Sequence, residues 1–463
     1  MNNILEGVLK EFSKLAMIPR PSKHETKVAN YLLNRLEELG ISAEIDETGN
    51  VIGKVAATAG FEAVPLFVLQ AHMDMVCVSD STKPDYNPLT DSIELIRDKE
   101  YLRANGTSLG ADDGIGIAII LYLLKNCKEH GALKLIFTVD EEAGMSGACG
   151  LNAKYLTDAK YLINIDSENV NELVTGCAGN LRVDFKRAVN RVKPLQQQGY
   201  KIKISGLKGG HSGEAIGIKH ANAIKVLAQL MNELKCEIAS VNGGRAMNVI
   251  PSEAEAVIIS NANVEETCRK VSEHICENFE ESNIIINAEK ITLPENVLSA
   301  KDTKAILNLI ENLHDGIYDS ETSANIGVLS TVEDHIKVEY MPRFHSDNGY
   351  ETMKKFALEA AQKSEFEAVA NKPSPAWKSN KNSLATYMKK IAHQQGREMT
   401  QHVIHGGLEC SYFSEKNPNL EIVSIGTTNL NIHSPKERLL LSSIEPTVQL
   451  VAATLKEAEF IND

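Results

Sequence analysis

The sequence predicts an α/β fold with a mainly parallel central sheet, into which a separate α+β domain is inserted. Between residues 65 and 168, apolar runs of strand length alternate with helical patterns, as in parallel sheets that carry helices on their faces. From about residue 181 the strands alternate apolar and polar residues, for example at 200–205, which is typical of a sheet with one solvated face. A chain of 463 residues is long enough for two or three domains.

The N-terminal part of the chain predicts helix and then strands. Residues 5–40 have a helical pattern that Gly40 can end, with leucines at 32, 33, 36 and 39. Residues 42–55 are typical of strands joined by a turn at 48–50. The longest uncharged apolar stretch, residues 114–124, is too short to span a bilayer and predicts a buried helix.

The inserted domain has an internal repeat. A strand pattern at 247–258 is followed by a helical one at 264–279, and 324–336 is followed in the same way by 349–362. We therefore expect a duplicated domain with two α+β halves. The predicted division is a first part of the parallel-sheet domain at 1–182, the insertion at 183–380 and a second part of the parallel-sheet domain at 381–463.

The composition excludes several classes of protein. The chain is 43% hydrophobic and 24% charged, which is ordinary for a globular protein. Its net charge of −14 disfavours nucleic acid and anionic membranes as partners. The eight cysteines include no Cys-X-X-Cys pair, which favours reduced thiols and a cytoplasmic location. Residues 1–6 have no basic segment leading into an apolar core, so we expect no signal peptide.

The most specific chemical signal is a histidine at the end of a predicted strand. His72 ends the apolar run 66–71, and Asp74 follows two residues later on the same side of the pleat. This spacing offers a metal ligand and a carboxylate that can orient it. Further acids and a histidine stand at the ends of apolar runs or in a Gly-rich turn, namely Asp112 with Asp113, Glu141 with Glu142, Asp166, and His433.

These side chains predict a two-metal site, because the carboxyl ends of strands in an α/β sheet meet at one edge. A two-metal hydrolase needs a carboxylate shared by both ions and terminal histidine and acid ligands. The chain offers such a set in His72, Asp112, Glu142, Asp166 and His433. Mixed nitrogen and oxygen ligands suit two divalent ions, with zinc favoured and manganese or cobalt compatible. Spacing alone does not distinguish Asp112 from Asp113.

Each segment also has a simpler explanation. A lone His-X-Asp is more often a surface feature, adjacent acids are usually solvated, and Asp166 could cap a helix. The Ser-Pro that follows His433 could mark a plain turn. The occurrence of all five segments at such positions favours the metal site. Glu141, beside the ligand Glu142, can then stay unligated and act as general base.

These segments resemble the M20 metallopeptidases, and more narrowly their aminoacyl-histidine dipeptidase (carnosinase-like) branch. The similarity lies in residues 72–74, 109–116, 140–144, 164–168 and 432–437, and it runs the full length of the chain. Residues 138–148 and 405–410 are the segments specific to that branch. The resemblance implies a phosphorylase/hydrolase-like di-metal catalytic domain and an inserted lid domain.

The resemblance also implies a role for each residue of the metal site. Asp112 would bridge two metal ions, and its peptide bond to Asp113 would be cis. Two further ligands would complete each metal site. Asp74 would orient His72, and Glu141 would be the general base. The implied pairs of terminal ligands are His72 with Asp166 and Glu142 with His433.

In the lid, His211 lies in a Gly-rich segment that matches the histidine that stabilises the tetrahedral oxyanion in relatives. Asn248 and Arg343 are candidates for the substrate's terminal carboxylate, since arginine binds carboxylates in a bidentate way. Glu409 is a candidate for its free amine, while His405 could assist or only pack. A two-half lid within one chain would make a homodimer compatible with the chemistry but not required for it.

We therefore expect a cytoplasmic metal-dependent dipeptidase for small peptides with a free N-terminus. Xaa-His dipeptides such as β-alanyl-histidine are the expected substrates, attacked by metal-bridged hydroxide with a glutamate as base. The alternatives on the same scaffold are a broader aminopeptidase and an N-acyl amino acid deacylase, because a fold does not fix a substrate. A catalytically silent binding protein would be favoured only if Glu141 or a ligand were missing, and none is.

Overall fold

The structure is a computed structural model that describes residues 4–378 and 382–456. The chain divides into two compact units. Unit 1 comprises Met1–Gly176, Ser379–Val403 and Leu408–Asp463, and unit 2 comprises Cys177–Lys378 and Ile404–Gly407. The predicted boundary between residues 380 and 381 lies outside the described residues.

The α-helices of the described chain are α1 (Ile4–Ala16), α2 (Thr26–Glu38), α3 (Ala111–Asn126), α4 (Glu141–Gly144), α5 (Ser146–Gly150), α6 (Ser212–Ala215), α7 (Ala223–Leu234), α8 (Val264–Asn278), α9 (Ala300–Asn312), α10 (Asp347–Lys363), α11 (Ser383–Gln394), α12 (Cys410–Lys416) and α13 (Ile444–Thr454). The strands are β1 (Ser42–Ile45), β2 (Val51–Val55), β3 (Phe67–His72), β4 (Leu95–Arg97), β5 (Tyr101–Ala104), β6 (Leu133–Thr138), β7 (Tyr161–Ser167), β8 (Glu172–Cys177), β9 (Gly179–Asn180), β10 (Val183–Ala188), β11 (Arg191–Val192), β12 (Gly199–Ser205), β13 (Gly210–His211), β14 (Glu237–Gly243), β15 (Val249–Ile250), β16 (Ala254–Ile259), β17 (Ile285–Ile291), β18 (Val297–Leu298), β19 (Gly316–Ile317), β20 (Thr322–Val332), β21 (His335–Phe344), β22 (Glu367–Ala370), β23 (Thr400–Ile404), β24 (Glu421–Gly426), β25 (Asn429–Leu430) and β26 (Arg438–Leu440).

Unit 1 is built on an eight-stranded sheet in the order β1-β2-β6-β3-β7-β24-β8-β23. The four central strands, β6, β3, β7 and β24, run parallel. The pairs β1–β2, β2–β6 and β24–β8 are antiparallel. The prediction of an α/β fold with a mainly parallel sheet is therefore confirmed at the centre of this sheet.

The central strands of unit 1 are apolar because they are buried. Every residue of β3 and of β6 is buried, as continuous apolar runs in parallel sheets predict. The predicted buried helix is α3, in which every residue from Ile115 to Leu123 is buried. With α1, α2, α11 and α13 it packs into one hydrophobic core with the sheet.

The prediction of helix throughout residues 5–40 is wrong at its middle. The structure has two helices there, α1 and α2, separated by nine residues that contain Pro19 and Pro21. Proline lacks the backbone N–H that a helix interior needs, so the helical pattern cannot continue through this segment. Gly40 adopts a left-handed φ of 74° just after α2, as a glycine at a helix end commonly does.

Unit 2 contains a ten-stranded antiparallel sheet whose main path is β17-β12-β16-β14-β20-β21-β10-β22. Helices α7, α8, α9 and α10 contribute to its hydrophobic core. One half of the sheet follows the chain order β12-α7-β14-β16-α8-β17, and the other follows β10-α9-β20-β21-α10-β22. Because the strand orders of the two halves mirror each other about β14 and β20, they support the duplication, which stays a prediction.

The described residues also bear on membrane-spanning helices and disulfides. Among the described residues, no helix is both long enough and apolar enough to cross a membrane. All eight cysteines lie in the described part of the chain, and none of them forms a disulfide.

Leu69→Ala should lower the free energy of unfolding by about 2–5 kcal/mol, because it leaves a cavity in a packed core. Leu69 lies in the central strand β3 and is completely buried, whereas Leu89 is 45% exposed. The matched control Leu89→Ala should therefore change stability by about 0.5 kcal/mol or less. Urea denaturation followed by circular dichroism measures both, and equal losses would contradict the assignment of the core.

Candidate active site

The five predicted metal ligands all lie in unit 1, at or near the carboxyl ends of its parallel strands. His72 is the last residue of β3, and Asp166 is the penultimate residue of β7. Glu142 lies in α4, just after β6. Asp112 lies at the kinked start of α3, and His433 follows β25 in a left-handed conformation.

Asp112 stands between two histidines that are distant in sequence. Its Oδ1 lies 3.0 Å from Nε2 of His72, and its Oδ2 lies 3.1 Å from Nε2 of His433. Nε2 of His72 is also 3.4 Å from Asp166, and Nε2 of His433 is 2.8 Å from Glu142. The structure thus joins the five residues into two groups that share one carboxylate.

Both groups offer donor atoms at metal-binding spacing. In His72, Asp112 and Asp166, and again in Asp112, Glu142 and His433, the donor atoms lie within 4.8 Å of one another. Oε1 of Glu142 is buried and has no hydrogen-bond partner among the described residues. Mixed imidazole and carboxylate donors with an unpartnered oxygen fit two divalent cations that share Asp112.

The two aspartates that the sequence left undistinguished have different environments. Asp113 is buried, and its carboxylate accepts hydrogen bonds from the backbone N–H groups of His72 at 3.2 Å and Gly116 at 3.1 Å. Asp112 instead points at the histidine side chains. The peptide bond between them is cis, as the resemblance implied. Asp113 therefore supports the strand end, while Asp112 is available to bind cations.

The acids and histidines of the cluster shift one another's pKa values. Burial opposes protonation of His433, yet Asp112 and Glu142 raise its pKa to about 11. Burial likewise opposes protonation of His72, and Asp166 and Asp112 raise its pKa well above the ordinary value. Burial alone would raise the pKa of Asp112, but its hydrogen bonds with both histidines lower it. The acids of the cluster thus favour a positive charge beside them.

The two groups differ in access to solvent. The side chain of His72 is 1% exposed, whereas that of His433 is 44% exposed. Of the two histidines, only His433 is in contact with solvent to a large extent.

Asp74 connects the two sides of the site. Its Oδ1 lies 3.4 Å from Nδ1 of His72, which fits the predicted orienting role. The same buried carboxylate accepts hydrogen bonds from Ser22 Oγ at 2.7 Å and from the backbone N–H groups of Glu141 and Glu142, at 3.0 and 3.2 Å. It therefore holds the first turn of α4, which carries both glutamates, against the end of β3.

Glu141 lies next to the metal-binding groups and shares a cluster of donor atoms with His72 and Glu142. Burial raises the pKa of its carboxyl group well above the ordinary value, and the charge of His72 opposes this shift. The charges of Glu142 and Asp166 raise it further. A carboxylate with a raised pKa accepts a proton readily, which is the property that a general base needs.

Glu409 is completely buried in unit 1. Its Oε2 accepts hydrogen bonds from Gln70 Nε2 at 2.7 Å and Thr138 Oγ1 at 2.6 Å. Oε1 of Gln70 in turn accepts one from Asn164. Burial raises the pKa of Glu409 to about 8. Its Oε1 is buried and has no hydrogen-bond partner among the described residues, and its candidate role toward a substrate amine stays a prediction.

The other predicted substrate residues, His211, Asn248, Arg343 and His405, gather in unit 2. His211 pairs with Val249 across β13 and β15, and the backbone N–H of Ser212 donates to the carbonyl of Asn248 at 2.8 Å. The buried guanidinium of Arg343 donates to Ser212 Oγ and to the carbonyl of His405, both at 3.1 Å. Unit 2 thus builds one polar cluster from segments far apart in sequence.

The sequence did not identify several residues of these clusters. In unit 2 the ring of His345 lies edge-on to that of His405, with centroids 5.0 Å apart. Burial lowers the pKa of both histidines. In unit 1 the buried Arg20 and Glu437 bind the backbone around Asp112. Glu437 belongs to the segment 432–437 that carried the resemblance, but no spacing signal marks Arg20 or His345.

The chain is similar to known peptidases along nearly its whole length. The model of peptidase family M20/M25/M40 matches residues 68–457. The cytosol non-specific dipeptidase of Escherichia coli (strain K12) is 32% identical over 96% of both chains. The crystal structure of aminoacylhistidine dipeptidase from Vibrio alginolyticus has a TM-score of 0.80 and 31% identity, and covers 97% of this chain and 96% of that one.

A more distant structure shares the fold. Aminopeptidase PepT from Bacillus cereus has a TM-score of 0.62 and 20% identity, with 98% of both chains covered. The family model and the two dipeptidases confirm the resemblance to the M20 metallopeptidases. The chain belongs to peptidase family M20/M25/M40.

Proposed function

We propose that this protein is a two-metal dipeptidase. The observation that carries the proposal is the position of Asp112, whose two carboxylate oxygens face His72 and His433 separately. Asp166 and Glu142 extend the two groups. The names of the relatives, a non-specific dipeptidase and an aminoacylhistidine dipeptidase, support peptide hydrolysis by this chain as well.

In this proposal two divalent ions would share Asp112 as a ligand. His72 and Asp166 would complete one binding site, and Glu142 and His433 would complete the other. Such ions supply Lewis-acid activation of a water molecule and of the peptide carbonyl when they are bound. Zinc is favoured by the mixed ligands, and manganese or cobalt would also suit them. Asp74 keeps the imidazole of His72 in its binding orientation through Nδ1.

Glu141 is the proposed general base. It takes a proton from the attacking water and delivers that proton to the leaving amine when the peptide bond breaks. The raised pKa of its carboxyl group supports the first of these transfers. The backbone hydrogen bond from Glu141 to Asp74 fixes the start of α4, so the base keeps a defined position relative to the ligand Glu142.

The proposed contacts to the rest of the substrate follow the roles that the family resemblance implies. His211 stabilises the tetrahedral oxyanion, and Arg343 and Asn248 bind the terminal carboxylate. The hydrogen bonds of Arg343 to Ser212 and His405 support this role, because they preorganise a buried guanidinium for an anion. His405 acts by holding Arg343.

We assign small dipeptides with a free N-terminus as substrates and expect Xaa-His dipeptides, such as β-alanyl-histidine, to be among the best. The proposed location is the cytoplasm, which the name of the Escherichia coli relative supports. If both halves of unit 2 serve one active site, a homodimer is compatible with activity but not needed for it.

Removal of metal should abolish activity. Dialysis against EDTA is expected to reduce hydrolysis of β-alanyl-histidine to background, and addition of zinc, manganese or cobalt should restore it, because the attacking water depends on bound cations. Metal analysis before and after dialysis gives the stoichiometry, expected to be two ions per chain. Activity that survives complete removal of metal would contradict the proposal.

Glu141→Gln should lower kcat by about 10²–10⁴-fold, since the amide cannot accept the proton from water. The variant should still bind two metal ions, because Glu141 is not one of the proposed ligands. Glu398→Gln, at a side chain that is 87% exposed, is the matched control and should keep full activity. Unchanged kcat in Glu141→Gln would refute the assignment of the base.

A substrate panel separates the dipeptidase from its alternatives. We expect β-alanyl-histidine, Xaa-His and Xaa-Leu dipeptides to be hydrolysed. N-acetyl-histidine should have a kcat/KM at least about 100-fold lower, because a site built for a free amine rejects a blocked one. Rapid hydrolysis of N-acetyl amino acids would instead identify a deacylase, and preference for longer peptides an aminopeptidase.

A further inference from the structure

We infer that Glu437 and Arg20 are positioning residues that together fix the loop carrying Asp112. This inference rests on the proposed two-metal site, in which Asp112 is shared. Both side chains are only 2% exposed, although charged groups are rarely buried without a function or a partner. Their partners are backbone groups of the segments that carry the metal ligands.

Glu437 binds the loop from one side. Its Oε2 accepts hydrogen bonds from the backbone N–H groups of Leu109 at 2.7 Å and Gly110 at 3.0 Å. Its Oε1 accepts those of Ala111 at 2.8 Å and Asp112 at 3.4 Å. One carboxylate thus satisfies four consecutive N–H groups that lead directly into the shared ligand.

Arg20 binds the same loop from the other side. Its Nη2 donates to the carbonyl of Gly110 at 2.5 Å, and its Nη1 donates to the carbonyls of Met73 and Asp74, at 2.9 and 2.7 Å. Met73 and Asp74 directly follow the ligand His72. The guanidinium therefore ties the end of β3 to the loop that carries Asp112.

Gly110 is the point at which the two contacts meet. Glu437 holds its N–H and Arg20 holds its carbonyl, so both neighbouring peptide groups are fixed. Its φ of 68° lies in the left-handed region, and an added Cβ would lie 2.6 Å from Met75 Sδ and 2.7 Å from Arg20 Nη2. The loop is therefore closely packed as well as hydrogen-bonded.

Glu437 and Arg20 link three segments that carry proposed metal ligands. Glu437 lies four residues after His433, so the segment that carries one terminal ligand also holds the loop of the shared ligand. Arg20 adds the segment of His72, the terminal ligand on the opposite side of Asp112. Fixing these three segments to one another sets the positions of His72 and His433 relative to Asp112.

Loss of this positioning should weaken metal binding. Partners that hold metal ligands typically change metal affinity or activity by about 10–100-fold when they are replaced. We expect Glu437→Ala to weaken zinc binding by about this factor, measured by competition with a chelator on the apo protein. At saturating zinc its kcat should fall more than its KM rises, because the substrate contacts in unit 2 are unchanged.

Conservative variants distinguish positioning from a general loss of stability. Glu437→Gln keeps one acceptor oxygen, and Arg20→Lys keeps a cation that can reach fewer carbonyls. Both should bind zinc with affinities between those of wild type and Glu437→Ala. Glu445→Ala, at an exposed glutamate of α13, is the matched control and should bind zinc like the wild type. If Glu437→Ala does not fold, Glu437→Gln and Arg20→Lys are interpreted in its place.

The outcomes separate the two proposals. A wild-type chain that binds two zinc ions, together with folded Glu437 and Arg20 variants that bind them equally well, would overturn the positioning role alone. A wild-type chain that binds no zinc, manganese or cobalt would contradict the proposed function and this inference with it. A lower thermal midpoint of the apo variants with unchanged zinc affinity would assign Glu437 a purely structural role and overturn the inference.

Discussion

The organisation of unit 1 depends on the need to balance many carboxylates at one edge of its sheet. They are Asp74, Asp112, Asp113, Glu141, Glu142, Asp166, Glu409 and Glu437. A carboxylate removed from water is unstable in its charged form unless hydrogen bonds or opposite charges compensate it. These acids differ in the groups that compensate their charge. This difference separates the supporting residues from the proposed cation ligands.

The supporting acids are compensated within the protein. Asp74, Asp113 and Glu437 accept backbone N–H groups, and Glu409 accepts Gln70 and Thr138. The acids around the histidines lack such partners. Asp112, Asp166 and Glu142 lie against the imidazoles of His72 and His433, Asp166 also contacts Asp112, and Oε1 of Glu142 has no partner among the described residues. The negative charge that the backbone leaves uncompensated is concentrated where cations are proposed to bind.

The parallel sheet explains why these groups can be brought so close together. Parallel strands end at the same edge, and helices and loops begin there with free N–H groups that can hold anions. The strands β3, β6 and β7 contribute the segments of His72, Glu142 and Asp166 directly. Unit 2, by contrast, is an antiparallel sheet whose polar cluster depends on contacts such as that between Arg343 and Ser212. The two units thus use different sheet types for different parts of the proposed chemistry.

Local sequence patterns determined the main features of the fold and of the site. Apolar runs of strand length predicted the buried parallel strands, and the acids and histidines at their ends predicted the candidate ligands, because both signals lie within a few neighbouring residues. The same reasoning failed where local and tertiary effects compete. It extended one helix across Pro19 and Pro21, which separate α1 from α2.

Only the tertiary structure decided how Asp112 and Asp113 differ and which residues hold their loop. The partners of Arg20 lie 53 to 90 positions away along the chain, and those of Glu437 lie 325 to 328 positions away. No periodicity or spacing encodes a contact over such separations. It exists because the folded sheet brings the ends of distant strands to one edge, where a buried charge must find backbone groups to bind.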